Sequence, residues 1–281
     1  MRHDLVMQPN VFIARSGEGN LVGSSFVLGN EPRSAAPVVF IHGTGLDRRM
    51  WEPLIEAFHG SRWCVTYDLR GYADSAPMPP EPYSTADDLV AVLDALGVES
   101  AHVVGISRGG RIAIRTAIEY PARIRSLFLA DPNINGFRSS PEFAAIKDEV
   151  SELAKSNQVT TAKRMWLDSD LFLPARRDPE LDKMLHNMAE RYEPWDWLGQ
   201  DPETVPNPAD VERLSSITVP TKVLVGELDL PHFHHAAKVI VEQVLGASLV
   251  QLPDVGHLAA IEAPEKATAL IRRHLVESEN Q

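Results

Sequence analysis

Short apolar segments rich in β-branched and aromatic residues recur along most of the chain. Runs of about four to eight such residues are typical of strands buried on both faces of a parallel sheet. The predicted strands are Val11–Ala14, Leu21–Leu28, Val38–His42, Trp63–Tyr67, Val103–Ile106, Ser126–Asp131, Thr221–Val225 and Ser248–Leu252. The first two are separated by a polar turn and are expected to pair with each other.

Amphipathic segments with helical periodicity separate most of these strands. In the clearest of them, Ser84 caps a helix with apolar residues from Leu89 to Leu96, and Gly97 ends it. Further helices are predicted after Trp51 as far as His59, and at Arg111–Tyr120, Ala236–Leu245 and Ala263–Glu277. Regular alternation of strand and helix predicts an α/β fold, in which a mostly parallel, doubly wound sheet is covered by helices on both faces.

The alternation stops between the sixth and seventh predicted strands, where no convincing strand is present. Helices are predicted there at Phe143–Leu153, Thr160–Leu171 and Pro179–Tyr192. A helical block inserted into a doubly wound sheet is expected to cover the carboxyl ends of the strands, where ligands bind in such folds. The sequence thus predicts an α/β core domain of residues 1–132 and 218–281, with a helical cap inserted at residues 133–217.

Composition and charge restrict the possible partners. The 281 residues include 27 Lys and Arg against 39 Asp and Glu, and the net charge of −12 argues against nucleic acid and anionic membranes, which bind basic surfaces. Cys64 is the only cysteine, which excludes an intrachain disulfide and a cysteine-based metal site. Without a secretion signal or a long apolar run, we expect a cytoplasmic monomer or homodimer that acts on a small-molecule substrate.

The turn between the fifth predicted strand and the next helix has the sequence Gly105-Ile106-Ser107-Arg108-Gly109. The Gly-x-Ser-x-Gly pattern is typical of a nucleophile elbow, a sharp turn that exposes a serine hydroxyl. Glycines are needed two residues before and after the serine because strand and helix approach too closely for a Cβ atom. The helix N-terminus beneath the hydroxyl would stabilise a developing oxyanion. An ordinary glycine-rich turn can have the same sequence, so the pattern alone does not establish that Ser107 is a nucleophile.

A nucleophilic serine needs a base, and the base needs an acid that orients it. With a nucleophile elbow, the chain order is Ser, acid, His, and the last two follow later strands. Asp229 comes just after the seventh predicted strand and His257 just after the eighth. Because parallel strands end at one edge of the sheet, we predict that Ser107, Asp229 and His257 form a catalytic triad. Asp131, which also ends a strand, is a rival acid for which a structural role is preferred.

Several short motifs in the chain resemble those of a known family. They are His42-Gly43, Asp68-x-Arg70-Gly71, Gly105-x-Ser107-x-Gly109-Gly110, Val219–Glu227, Gly226-x-x-Asp229 and Gly256–Glu265. From about Pro37 to Leu275, except in the insertion, the chain resembles the α/β-hydrolase superfamily, and within it the capped esterases and lactonases that include 3-oxoadipate enol-lactonase. The resemblance implies the same triad, an oxyanion hole formed by the backbone N–H groups of Thr44 and Arg108, and no cofactor.

Two positions depart from the pattern of this family. Many relatives have a second glycine in the segment Tyr72-Ala73-Asp74, so this turn is expected to differ. Arg108 stands where methionine, leucine or glutamine is more usual. A guanidinium beside the nucleophile could bind a substrate carboxylate in a bidentate manner. A salt bridge to a carboxylate of the cap or a loop is the preferred interpretation, and both remain open.

The aromatic and methionine side chains of the predicted cap favour an apolar roof over the site. Among them, Trp166, Met188 and Trp195 are the candidate substrate contacts, which suggests a small, largely apolar substrate. His42 is expected to hold the loops beneath the oxyanion hole. The histidines at 232, 234 and 235 lack a metal-binding spacing or a nearby cysteine, so they are expected to line a loop and begin a helix, and no metal is predicted.

These features together predict a serine hydrolase that cleaves an ester or a lactone through an acyl-serine intermediate. C–C bond hydrolysis, thioester hydrolysis and perhydrolysis are alternatives that use the same three residues. Haloalkane dehalogenase and epoxide hydrolase are disfavoured, because their relatives have an aspartate at the position of Ser107. An alternative of a different class is a non-hydrolytic protein that only binds a small molecule in the cavity.

Overall fold

The centre of the protein is one β-sheet, seen in a computed structural model that describes residues 10–26, 36–58 and 61–280. Eight strands of the described residues form this sheet in the order β1-β2-β4-β3-β5-β6-β7-β8. They are β1 (Asn10–Ser16), β2 (Gly19–Phe26), β3 (Val38–Ile41), β4 (Cys64–Tyr67), β5 (Ala101–Ile106), β6 (Ile124–Ala130), β7 (Thr221–Gly226) and β8 (Ser248–Leu252). Each predicted strand is present, and the last two residues of the predicted Leu21–Leu28 lie outside the described residues.

The directions of the strands place several loops at one edge of the sheet. β1 and β2 form the predicted antiparallel hairpin, and β2 is antiparallel to β4. From β4 through β3, β5, β6 and β7 to β8, every neighbouring pair is parallel. The predicted doubly wound, mostly parallel α/β sheet is therefore confirmed. The loops that follow β3, β5, β6, β7 and β8 consequently leave the sheet from the same edge.

Helices follow most of the parallel strands, as the periodicity predicts. They are α1 (Glu52–Phe58), α2 (Thr85–Ala95), α3 (Arg108–Glu119), α4 (Pro141–Lys155), α5 (Val159–Asp168), α6 (Pro179–Arg191), α7 (Pro231–Gln243), α8 (Ala259–Glu262) and α9 (Pro264–Glu279). Short 3₁₀ turns lie at Arg48–Trp51, Ala73–Ser75, Pro121–Arg123, Ala175–Arg177, Asp210–Glu212 and Leu214–Ser216. His59, the predicted end of the first helix, lies outside the described residues. Across the three described ranges, none of the helices combines the length and apolarity needed to cross a membrane.

The core lies where the middle strands meet their covering helices. All residues of β3, β4 and β5 are buried, as expected for strands with helices on both faces. Phe40 of β3 contacts two aromatic rings. Its ring centroid lies 5.3 Å from that of Trp51, which ends a 3₁₀ turn, and 6.0 Å from that of Phe58 in α1. Burying each large apolar side chain of this kind contributes about 1.5–3 kcal/mol. This packing fixes the strands whose ends carry the site.

The segment between β6 and β7, residues 131–220, is called the insertion below. It contains α4, α5 and α6 as predicted, and in it Glu203 forms one isolated parallel bridge with Tyr83. Its interior is aromatic, with the Trp197 ring 5.7 Å from that of Trp166 and 5.1 Å from that of Tyr192. Tyr192 also stacks on Tyr72 of the loop after β4, at 5.0 Å. The insertion is therefore packed against the loops at the carboxyl edge of the sheet.

Candidate active site

Ser107 lies at the sharp turn between β5 and α3. Its backbone has φ 52° and ψ −113°, a left-handed conformation that costs a non-glycine residue about 1–3 kcal/mol. The surrounding structure maintains this conformation, because Ser107 N donates to Ala130 O at 3.1 Å and Ser107 O accepts from Asn133 N at 3.1 Å. The turn thus has the backbone geometry of a nucleophile elbow.

The two glycines of the elbow allow α3 to pack directly on the sheet. A Cβ atom at Gly105 would lie 2.4 Å from Gly109 O, and one at Gly109 would lie 2.2 Å from Ile41 O. Neither position has room for any side chain, because the clashing atoms belong to backbone. The close approach also aims the N-terminus of α3 at the turn, where its unpaired N–H groups favour negative charge.

Asp229 and His257 form a hydrogen-bonded pair at the ends of the next two strands. The distance between His257 Nδ1 and Asp229 Oδ2 is 2.9 Å, and Asp229 Oδ1 accepts from Leu230 N at 2.7 Å. Both side chains are buried. A carboxylate on Nδ1 selects the tautomer that leaves Nε2 free to accept a proton, which is the state a general base needs.

Burial controls the charge of this pair. It lowers the pKa of His257 to about 4, because the interior disfavours imidazolium, although Asp131 and Glu262 act in the opposite direction. Burial also raises the pKa of Asp229, while the hydrogen bond from Leu230 N opposes that shift. A neutral imidazole at pH 7 follows, and it is ready to take a proton.

Asp131, the rival acid, has different partners. Its side chain is fully buried at the end of β6, where Oδ1 accepts from Gly226 N at 2.8 Å and Oδ2 accepts from Ala259 N at 3.1 Å. His257 Nδ1 is paired with Asp229 instead. The geometry therefore favours Asp229 as the acid that orients the base.

Thr44 and Arg108 carry the two backbone N–H groups predicted to form the oxyanion hole. Both residues line the same cavity as Ser107, and a Cβ added at Gly43 would lie 3.3 Å from Ser107 Cβ. Within the described part of the chain, neither the Thr44 N–H nor the Arg108 N–H has a protein acceptor. Two free donors beside a serine hydroxyl are what a tetrahedral oxyanion requires.

His42 holds the turn that contains Thr44. Its Nδ1 donates to Gly43 O at 2.9 Å, and its Nε2 accepts from Leu69 N at 3.0 Å. Burial lowers the pKa of His42, which keeps the ring neutral and allows one nitrogen to donate while the other accepts. The predicted structural role of His42 is confirmed.

Two residues of the turn after β4 have left-handed backbone, and the second lies in the segment where many relatives have another glycine. Gly71 has φ 76°, and Ala73 has φ 42°. Ala73 thus adopts the left-handed backbone that glycine enters without strain. Asp74 N donates to Asp68 Oδ2 at 3.2 Å, which helps to hold this turn.

A cavity of about 550 Å³ opens above Ser107, between the elbow and the insertion. It is lined by Thr44, Ser107, Arg108, Arg111, Asn133, Ile134, Asn135, Gly136, Phe137, Ser139, Phe143, Lys147, Asp148, Ser151, Trp166, Asp196, Trp197, Asp201 and Glu203. Aromatic rings therefore alternate with amide, hydroxyl and charged groups. The volume suits a small molecule, and the lining can contact both apolar and polar parts of it.

The three candidate substrate contacts occupy different places. Trp166 lines the cavity. Met188 lies outside this lining, at a separate depression beside Arg49, and the Trp195 ring packs against Gly71. The loop that follows β6 contributes Asn133 to Gly136 instead, which the sequence reasoning did not single out. Its position directly after a strand end was the available signal.

His232 serves the packing of α7, near the helix start that was predicted for it. Its ring stacks on Phe143 at 4.7 Å and its Nε2 lies 3.3 Å from Asn133 Oδ1. Burial lowers the pKa of His232 to about 4, so the ring is neutral at pH 7. The residue thus joins α4 and the loop after β6 to the helix that follows Asp229.

The Arg108 guanidinium forms salt bridges with the end of the insertion. Its Nη2 lies 2.6 Å from Asp201 Oδ2 and 2.8 Å from Glu203 Oε2, and its Nη1 lies 3.5 Å from Asp196 Oδ2. Its Nε is buried and has no hydrogen-bond partner among the described residues. Of the two interpretations, the structure shows the salt bridge, although Arg108 also lines the cavity.

Further arginines of α3 extend this contact into a cluster. Arg111 Nη2 lies 2.6 Å from Glu203 Oε2, and Arg115 Nη1 donates to Thr204 O at 2.7 Å. Arg108, Arg111 and Arg115 share one face of α3 by helical spacing. The arginine cluster, defined as these three residues with Asp201 and Glu203, therefore fixes the end of the insertion to the helix that starts at the nucleophile elbow.

The comparisons with known proteins agree with this architecture. A family model described as the alpha/beta hydrolase family matches residues 38–269. The chain therefore belongs to the alpha/beta hydrolase family, and its relatives include an enol-lactonase and a carboxylesterase.

Individual relatives align over nearly the whole chain. It is 29% identical to 3-oxoadipate enol-lactonase 1 of Acinetobacter baylyi over 239 residues, which are 84% of this chain and 87% of that protein. The solved structure of Est816, an N-acyl homoserine lactone degrading enzyme, has a TM-score of 0.74 and 26% identity, covering 93% of this chain and 99% of that one. The enol-lactonase of Burkholderia xenovorans LB400 has a TM-score of 0.74, covers 94% of this chain and 100% of its own, and at 22% identity supports the fold alone.

Proposed function

We propose that the protein is a serine hydrolase of small carboxylic esters or lactones, with Ser107 as nucleophile, His257 as base and Asp229 as acid. The observation that carries the proposal is the buried pair of His257 and Asp229 at the strand ends next to the elbow. Relatives named as an enol-lactonase and as an acyl homoserine lactone degrading enzyme support the ester or lactone bond as the one cleaved.

The reaction follows from the state of each group. His257 Nε2 takes the proton of the Ser107 hydroxyl as its oxygen attacks the carbonyl carbon. The C–O bond to the leaving alcohol then breaks, and His257 returns the proton to that oxygen. Water attacks the acyl-serine with His257 again as base, which releases the carboxylic acid and restores the hydroxyl. Asp229 stabilises the imidazolium that forms in each half of the reaction.

The N–H groups of Thr44 and Arg108 would hold the oxyanion of both tetrahedral intermediates. Their lack of protein acceptors supports this role, because donors already in place need no reorganisation during the reaction. Removal of one such donor typically lowers the rate about 10²–10³-fold. The insertion, which supplies much of the cavity lining, would act as the cap that excludes water and selects the substrate.

The lining of the cavity refines the expectation of a largely apolar substrate. Trp166 and Trp197 offer aromatic surface, whereas Asn135, Ser139 and Lys147 offer hydrogen-bonding groups. We infer that the substrate is amphipathic, with an apolar part against the aromatic rings and a polar part towards α4. A panel of esters and lactones with neutral and carboxylate-bearing acyl chains, compared by kcat/KM, tests this inference. Equal kcat/KM values across the panel contradict it.

Labelling with a serine-reactive fluorophosphonate tests the nucleophile directly. We expect one covalent adduct at Ser107, located by mass spectrometry of the peptide that contains Gly105 to Gly109. His257→Ala should slow the labelling strongly, because the serine then lacks its base. The non-hydrolytic alternative, a protein that only binds its ligand, forms no adduct. A protein that stays unlabelled although circular dichroism shows it folded contradicts the proposal.

The pH dependence of kcat/KM should reflect the buried imidazole. The pKa of an exposed histidine is about 6.5, whereas burial lowers that of His257 to about 4. The base is active when neutral, so a lower pKa extends activity towards acid, and kcat/KM should fall only well below pH 6.5. The measurement uses an uncharged ester between pH 4.5 and pH 8, a range that reaches about two pH units below the pKa of an exposed histidine. His235→Ala, at an exposed position of α7, should leave the profile unchanged. A half-maximal point at or above pH 6.5 contradicts the prediction.

A further inference from the structure

The loop between β8 and α8, residues 253–258, carries the proposed base and is called the base loop below. Its first part is fixed to the sheet side by a hydrogen bond from Leu228 N to Val255 O at 2.9 Å. The N–H groups of Gly256 and Leu258, on either side of the base, have no main-chain acceptor in the described part of the chain. Both residues are buried, so water does not readily satisfy these two donors.

The carboxyl group of Glu262, in α8, accepts a hydrogen bond from each of these two N–H groups. Its Oε2 accepts from Gly256 N at 2.9 Å, and its Oε1 accepts from Leu258 N at 3.0 Å. Helix capping accounts for only the second of these bonds, since Leu258 is the residue that caps α8. The first bond lies outside the helix, on the other side of His257. One side chain thus holds the main chain both before and after the base.

The position of Glu262 relative to the cavity separates its role from those of the reacting groups. Ser107 lines the cavity, whereas Glu262 lies outside the cavity lining. The His257 ring has its own partner, because its Nδ1 pairs with Asp229 at 2.9 Å. That pair orients the ring, but it does not hold the main chain from which the ring extends. The two hydrogen bonds to Glu262 supply this second constraint.

We propose that Glu262 is a positioning residue for the hydrolysis, which holds His257 in place through the N–H groups on either side of it. The inference rests on the proposed function, in which His257 is the base that acts on Ser107. Glu262 forms and breaks no covalent bond and moves no proton. It acts through the position of the imidazole, on which proton transfer in both halves of the reaction depends.

Glu262→Gln and Glu262→Ala test the proposal in steady-state kinetics with an aryl ester. Glutamine keeps one acceptor oxygen and alanine keeps none, so kcat should fall by about 10-fold and about 100-fold, the larger loss being what a misplacement of roughly 1 Å can cause. KM should change by less than about threefold, because Glu262 lies outside the cavity lining. Glu265→Gln removes the same charge at an exposed position in the first turn of α9 and should retain the wild-type kcat. A wild-type kcat in the Glu262 variants overturns the proposal.

The His257→Ala background separates positioning of the base from general damage to the fold. The residual kcat/KM in that background does not depend on the imidazole, so adding Glu262→Gln should lower it by less than about twofold. An equal loss with and without His257 means a merely structural side chain and overturns the proposal. The rate of fluorophosphonate labelling at Ser107 should show the same contrast between backgrounds.

Glu262→Gln is the milder change, so it carries the test alone if circular dichroism shows that Glu262→Ala does not fold. The wild type keeps the two proposals apart. A wild type without hydrolysis and without an adduct at Ser107 refutes the proposed function. An active, labelled wild type whose Glu262 variants are equally active refutes only the role of Glu262.

Discussion

Replacing Ser107 with alanine is expected to lower kcat for ester hydrolysis by about 10⁵–10⁶-fold, as removal of the nucleophile does in other serine hydrolases. The oxyanion donors and the cavity remain, so a residual rate above that in water should persist. Steady-state kinetics with a chromogenic aryl ester measures the effect. Traces of wild-type enzyme would mask this loss. The variant should therefore be expressed separately from the wild type, and a fluorophosphonate added before the assay should inactivate any wild-type contaminant.

Ser139 offers a matched control for this substitution. It lines the same cavity but lies in the loop before α4, and its hydroxyl accepts from Lys147 Nζ at 2.7 Å. Ser139→Ala should retain kcat within about threefold, because its hydroxyl can contact bound substrate but forms and breaks no bond, so a lost contact should appear in KM. The thermal stability of Ser107→Ala should not fall, since no buried group loses a partner in this variant. An alanine variant that keeps more than a tenth of the wild-type kcat refutes the assigned nucleophile.

Strong apolar runs and helical periodicity predict the architecture well. β3 and β4 are short, yet all their residues are buried, so almost every position carries the apolar signal. α8 was not predicted, because a helix of Ala259–Glu262 is too short to display a period. α7 begins at Pro231, five residues before the predicted Ala236. Proline suits the first turn of a helix, because a backbone N–H has no partner within the helix at that position. Local patterns thus locate the elements more reliably than their ends.

The predicted acid and base came from chain order together with strand ends. The parallel sheet places the loops after β7 and β8 next to each other, so sequence position alone was enough to pair Asp229 with His257. Sequence position does not separate Asp229 from Asp131, because the two residues follow neighbouring strands. Hydrogen-bond directions distinguish them, and these depend on the tertiary structure.

The substrate side of the site was the least predictable part. Trp166, Met188 and Trp195 look alike in a sequence pattern, since each is an apolar residue in a helical or irregular segment. Which of them meets the cavity depends on how α5 and α6 pack together, and only Trp166 of the three belongs to the lining. The packing of the insertion also places Lys147 and Asn135 in the cavity lining. Their sequence does not indicate this, because polar residues on a surface helix or loop usually face solvent.

The role of Arg108 could not be assigned from its position beside the nucleophile, and the geometry makes a strong prediction for it. Arg108→Met should lower the free energy of unfolding by about 3–5 kcal/mol, because Asp201 and Glu203 would lose a buried cationic partner. The side chain of Arg108 is 9% exposed and that of Glu203 is also 9% exposed, so water cannot replace the lost charge. Thermal denaturation should show a decrease in Tm of roughly 10 °C.

A matched substitution at an exposed arginine separates this effect from the general cost of removing a charge. Arg273 pairs with Glu277 on α9 with a side chain that is 75% exposed, and Arg273→Met should change Tm little. Combining Arg108→Met with Asp201→Asn should cost less than the sum of the single changes, since the second removes a carboxylate whose one ion pair among the described residues is with Arg108. Additive costs, or a decrease in Tm no larger than that of Arg273→Met, would show that the arginine cluster does not hold the insertion. The elbow would then owe its position to the backbone hydrogen bonds of Ser107 and to the glycine contacts with the sheet.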